Sequence, residues 1–362
     1  MTPIRCFFKP FRPTAIFRME ARRQRRPQRR LSPVVALSLI MAWHITAAAA
    51  PEFIATVSVG DFPTAIAMSP DGAFAYITNQ HDDTVSVIRL SRHALAATIG
   101  VGNAPNAVSV TPDGNRVYAG SNPISVIRTA DHREVDTIAA GMNIYGMAVT
   151  PNGQYVYVSN PASYTVGVLD TSVNAMIDLI MVGGGPTRMA ASPDGDFIYV
   201  TKWADNQLKV IETATHAVVS TISVGSSPHG IAVTPDGCYA CIANRISDTV
   251  SIVATADTSV EGTVPVGNEP VGVAIDPEGS CAYISNLSDD SVSVIELSTR
   301  TVVATIATGN APSAVAVTPN GEYLYVANSA DNTVTVIRIS ERSGLFFPIK
   351  TTTGKTAIIY IE

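Results

Sequence analysis

The 362-residue chain is 46% hydrophobic and only 15% charged, a balance that lets it bury a large core and excludes intrinsic disorder. Its charge is uneven: residues 1–50 hold ten Lys/Arg and a single acid, Glu20, leaving 14 bases against 29 acids, a net of −15, for residues 51–362. So acidic a body makes nucleic acid a poor partner.

In chain order, the basic stretch ending in Arg29-Arg30 runs into the apolar segment Leu31–Ala42, then Trp43-His44-Ile45-Thr46 and four alanines. That is the order of a secretory signal peptide, and it predicts a leader over residues 1–50, with Met19 as an alternative start and cleavage after Ala49. The expected location is therefore the periplasm, the cell surface or the medium. A membrane would be involved only if the leader stayed uncleaved as an anchor.

From residue 51 the sequence repeats. A Pro-Asp-Gly turn or a close relative recurs at 70–72, 112–114, 151–153, 193–195, 235–237, 277–279 and 319–321, with spacings of 42, 39, 42, 42, 42 and 42. Each unit carries four short runs rich in Val, Ile, Tyr and Thr; in the first these are Thr64–Ser69, Phe74–Asn79, Thr84–Leu90 and Leu95–Val101. A fixed period of this length without helical patterning predicts an all-β, seven-bladed β-propeller of four-stranded antiparallel blades over residues 51–340. Phe53–Gly60 matches Leu95–Gly102 at an offset of 42, so it reads as an outer strand without a blade of its own. Pairing it with Thr333–Ile339 would close the ring and remove two sheet edges. Residues 341–362 are surplus, with Thr356–Ile361 as a further strand candidate. A monomer is expected.

The runs Tyr76-Ile-Thr-Asn79, Tyr157-Val-Ser-Asn160, Tyr283-Ile-Ser-Asn286 and Tyr325-Val-Ala-Asn328, each followed by a turn and a Thr/Ser-Val-x-Val strand, resemble the YVTN-type β-propeller repeat over roughly residues 53–339. The resemblance implies an exported or surface propeller of bacteria or archaea and carries no fixed activity. Similar propellers include lactonase-type enzymes and a haem-binding domain of periplasmic nitrite reductase.

Chemistry-bearing motifs are sparse. There is no G-x-S-x-G elbow, and the pair in Cys238-Tyr-Ala-Cys241 points to opposite faces of a strand, so it reads as structural, and no cofactor or metal is expected. His81-Asp82-Asp83 and Ser288-Asp289-Asp290 read as turn caps. The informative signal lies where the repeats disagree. The position after the proline of each Gly-x-x-Pro connection, expected to line the channel mouth, reads Thr64, Asn106, Tyr145, Thr187, His229, Val271 and Ser313 around the ring, and Arg188 stands where other repeats have Ala or Gly. Lys202 replaces the repeat's Asn and is followed by Trp203; Asn244 is followed by Arg245. Tyr145, Arg188, Lys202, Trp203, His229 and Arg245 all fall on blades 3–5 and predict a site there for a small anionic or aromatic molecule or a protein loop. Binding is expected ahead of catalysis, and no catalytic residue is assigned. The alternatives are a lactonase- or lyase-type enzyme with His229 as general base and Arg188 stabilising negative charge, or a haem-type propeller with His229 as axial ligand.

Overall fold

The computed structural model describes residues 51–141 and 144–339, together with the backbone of two short strands, Phe347–Lys350 and Thr356–Ile359. The expected leader at 1–50 lies outside the described residues. The two short strands pair with each other, in a unit separate from residues 50–342. No helix among the described residues is long and apolar enough to cross a membrane.

Residues 52–338 form seven four-stranded antiparallel sheets. Blade 1 comprises Pro63–Met68, Phe74–Asn79, Thr84–Arg89 and Ala94–Gly100, within a residue of the four runs read from the sequence. Blade 7 comprises Pro312–Val317, Tyr323–Asn328 and Thr333–Arg338, and its fourth strand is Glu52–Ser58 from the opposite end of the propeller chain. Val57 pairs with Val334 and Ala55 with Val336, which closes the ring as the 42-residue offset predicts.

The turn tripeptide makes each inner hairpin. At Ser69-Pro-Asp-Gly, Gly72 adopts φ +68° and its N–H donates to the Ser69 carbonyl, while the Asp71 carboxylate accepts from the Ala73 N–H. Glycine takes that backbone at no steric cost. Both faces of the second and third strands are buried because each blade is sandwiched between two others. Seven separate apolar clusters result, one at each seam; the cluster between blades 1 and 2 joins Tyr76, Val85 and Val87 to Val108, Val117 and Ile127.

Two sets of polar latches supplement this packing. At the outer end of three seams among the described residues, the residue between the third and fourth strands holds φ > 0 and meets the tyrosine of the preceding blade: His93 Nδ1 lies 2.6 Å from Tyr325 Oη, His132 Nδ1 3.5 Å from Tyr76 Oη, and Tyr118 Oη donates to Asn174 Oδ1 at 3.0 Å. At the top face, the residue before the third strand accepts the N–H of the residue preceding the next blade's proline. Asp83 takes that of Ala104, Asn206 of Ser227, Asp248 of Glu269, Asp290 of Ala311 and Asn332 of Phe62, at 2.7–3.0 Å. The Asp-rich segments are thus caps, but they cap across the seam to the neighbouring blade as well as within their own.

Among the described residues five of seven seams carry this top latch, and the two without it flank blade 3. In blade 2 the three-residue deletion takes away the latching position, so that Arg116–Asn122 passes through Pro123 directly into Ile124–Arg128. In blade 3 the position is Tyr164. The innermost strand of that blade is also the shortest, Met147–Val149.

Candidate functional site in the central channel

The first strands of the seven blades line the channel. Two residues after each connecting proline, or after Ile144 in blade 3, the ring reads Ala65, Ala107, Gly146, Arg188, Gly230, Gly272 and Ala314. Six are small because these strands crowd their neighbours: a Cβ on Gly230 would lie 2.3 Å from the Val271 carbonyl oxygen, and one on Gly146 2.2 Å from that of Thr187. The seventh, Arg188, sends a long side chain into the space the others leave. Its Nη1 donates to the Asn106 carbonyl at 2.8 Å and its Nη2 to the Thr64 carbonyl at 3.0 Å, so it crosses from blade 4 to blades 1 and 2. The cavity around it measures about 130 Å³ and is walled by residues such as Ile66, Met147, Met189, Ile231 and Val315.

Arg188 has no carboxylate partner among the described residues. Burial lowers its pKa, yet a guanidinium starting from 12.5 stays cationic. Tyr145 lies beside it, ring centroid 5.9 Å from the guanidinium carbon, and His229 packs edge-on to the same ring at 6.0 Å. His229 Nδ1 faces the Val271 carbonyl at 3.2 Å. Burial first, then the charges of Arg188 and Arg245, push its pKa down to about 3. The imidazole is therefore neutral, donating from Nδ1 and leaving Nε2 as an acceptor.

Three of the six singled-out residues thus converge: Tyr145, Arg188 and His229. The other three stand apart from that cluster. Lys202 is 3% exposed and its Nζ lies 2.5 Å from Asp205, so it replaces the buried Asn of the repeat with a locally neutralised cation. Trp203 is half-exposed, and its indole lies over Gly185, where a Cβ would approach Nε1 to 2.2 Å. The three glycines at 183–185 accommodate Lys202, Asp205 and Trp203 respectively. Arg245 pairs with Glu269 at 3.2 Å.

The position after the proline does more than line the mouth. Thr64 Oγ1 donates to the Pro105 carbonyl, Thr187 Oγ1 to that of Pro228 and Ser313 Oγ to that of Pro63, each reaching the next blade. Thr64 and Thr187 are buried, so at these places the ring position serves as a fastener. Two contributors escape a sequence reading: the backbone carbonyls of Thr64 and Asn106, which have no side-chain signature.

A seven-bladed propeller with one large cation across its channel is the class that fold and site define. The chain belongs to the YNCE-like β-propeller family, whose model matches residues 56–239. The model of the lactonase, seven-bladed β-propeller family matches residues 255–359. Both support the propeller class that the YVTN-type runs imply. No curated protein matches the chain. Among solved structures, a chain of Kuenenia stuttgartiensis hydrazine synthase is similar at TM-score 0.70 and 26% identity, over 76% of this chain and 95% of that one.

Proposed function

We propose that the protein is an exported binding propeller that holds a small organic anion at the top-face channel mouth of blades 3–5. The observation that carries this reading is the Arg188 guanidinium, a cation inside the channel with two carbonyl contacts and no carboxylate partner among the described residues. Arg188 is half-buried, and holding an unpaired charge partly out of water carries a cost that an incoming anion offsets. Tyr145 supplies an aromatic flank and His229 a neutral acceptor. Lys202, Trp203 and Arg245 form the outer rim, where paired cations contribute long-range field more than direct contact. The exported setting rests on the order of residues 1–50.

The lactonase family match favours a second, enzymatic reading on the same face. His229 is a weak base for it: with a pKa near 3 it holds a proton poorly at neutral pH, and Nδ1 faces a carbonyl where an orienting carboxylate would stand.

The test is calorimetry and thermal denaturation of wild type and Arg188→Gln with a panel of small carboxylates and phosphates at low salt. Wild type should bind and be stabilised by members of the panel, and the variant should lose at least roughly tenfold in affinity, the scale of one charge-assisted hydrogen bond. Equal responses from the two proteins would overturn the reading.

A further inference from the structure

The same site also constrains the charge, shape and size of what it holds, and this inference rests on the anion reading above. The first constraint is charge. Arg188 brings one positive charge; the rim cations Lys202 and Arg245 are matched by Asp205 and Glu269, and His229 is neutral. Arg188 itself donates to the carbonyl oxygens of Thr64 and Asn106, both acceptors, and Ser313, the other polar side chain of the cavity lining, donates its hydroxyl to the Pro63 carbonyl. A monoanion balances the site. A dianion would place its second charge among acceptors without a counter-ion.

The second constraint is shape. A guanidinium has five N–H donors in one plane, and two are taken by carbonyls on different terminal nitrogens. Three remain, at least one on each terminal nitrogen. Parallel donors in a plane match the two oxygens of a carboxylate better than a spherical ion. The third constraint is size: a cavity of ~150 Å³ holds benzene, so 130 Å³ suits a ligand, or the buried part of one, of about six non-hydrogen atoms. The aliphatic walls at Ile66, Met189, Ile231 and Val315 suit a short hydrocarbon tail.

We propose that the channel selects a small monocarboxylate, singly charged and planar at its head, over dianions and over spherical anions. Once bound, the carboxylate lies in the plane of the Arg188 guanidinium and its tail enters the aliphatic part of the cavity.

The experiment is isothermal calorimetry at neutral pH with propionate, oxalate, sulfate and chloride on wild type, Arg188→Gln and Arg188→Lys. Oxalate matches propionate in planarity and approximate size and differs in charge; chloride keeps the charge and loses the shape. Propionate should bind wild type at least about tenfold more tightly than each of the other three, and Arg188→Lys, which keeps the charge without the planar fork, should bring propionate to the level of chloride. Arg188-dependent binding of oxalate or sulfate as tight as that of propionate would overturn the charge selection and leave the anion site standing. Chloride equal to propionate would overturn the shape selection. If none of the four binds in an Arg188-dependent way while Arg188→Gln keeps the wild-type thermal transition, the inference and the anion reading beneath it both fall.

Discussion

Truncating Val57 to alanine tests whether the seventh blade depends on its borrowed strand. Val57 is 6% exposed and packs with Ala75, Ile77, Ile88, Tyr325, Val334 and Val336, at the seam where the last blade meets the first. Two methyl groups at about 0.8 kcal/mol each, with an added cavity contribution, give a loss of roughly 2 kcal/mol. For a propeller of about 290 residues, unfolding with roughly 0.6 kcal/mol/K of entropy, that lowers the melting temperature by roughly 3 °C. The control is Val303→Ala, also on an outer strand but 56% exposed, which should change stability by less than about 0.5 kcal/mol. Chemical denaturation monitored by tyrosine and tryptophan fluorescence, with melting followed by circular dichroism, gives both numbers. If Val57→Ala costs no more than Val303→Ala, the strand does not close the ring in solution, and blade 7 must stand with three strands and an open edge.

Other expectations follow from the latches and the channel. Arg188→Met removes two charge-assisted hydrogen bonds but also the cost of a buried cation, so stability should stay within about 1 kcal/mol of wild type; a loss above about 3 kcal/mol would make Arg188 a structural crossbar. Tyr164→Asn should stabilise by about 1 kcal/mol, because Asn tolerates the φ of +61° and can accept the Gly185 N–H, restoring the latch between blades 3 and 4; a lower melting temperature would contradict this. Burial lowers the pKa of His93 and His132 and holds His229 near 3, so the unfolded chain takes up protons first. Stability is then full above about pH 6.5 and falls as the pH drops through the folded-state values. His93→Gln should flatten the melting profile between pH 7 and 4, and a melting temperature that rises on acidification would refute the argument. Burial raises the Cys241 thiol to about 12 and the Cys281 thiol to about 11, so maleimide at pH 7 should label neither in the native protein, and rapid native labelling of Cys241 would contradict its burial.

Among the described residues the two seams without a top latch both border blade 3, whose Tyr145 ring lies beside Arg188. At the equivalent places of blades 1, 4 and 7, Thr64, Thr187 and Ser313 spend their hydroxyls on the next blade's proline carbonyl. On the proposed anion reading, stability and ligand contact draw on the same ring position, and each blade's residue decides which is served.

Blade number, strand limits, closure by Phe53–Val59 and the anomaly at Arg188 were all legible in the chain, because each is a local pattern repeated at a fixed offset, and seven copies supply their own comparison. That Tyr145, Arg188 and His229 belong to neighbouring blades was legible for the same reason, but within a group of six whose other members, Lys202, Trp203 and Arg245, stand apart from them. What Arg188 touches was not: Asn106 and Thr64 lie 82 and 124 residues away, and they contribute carbonyl oxygens that every residue possesses. Nor could the sequence separate Arg188 from Lys202 and Arg245, three basic exceptions of equal standing in the repeat. Only the closed ring brings Asp205 against Lys202 and Glu269 against Arg245 while leaving Arg188 facing carbonyls, because spacing along the strands fixes contacts within a blade, whereas contacts across the channel depend on where seven blades place their inner edges.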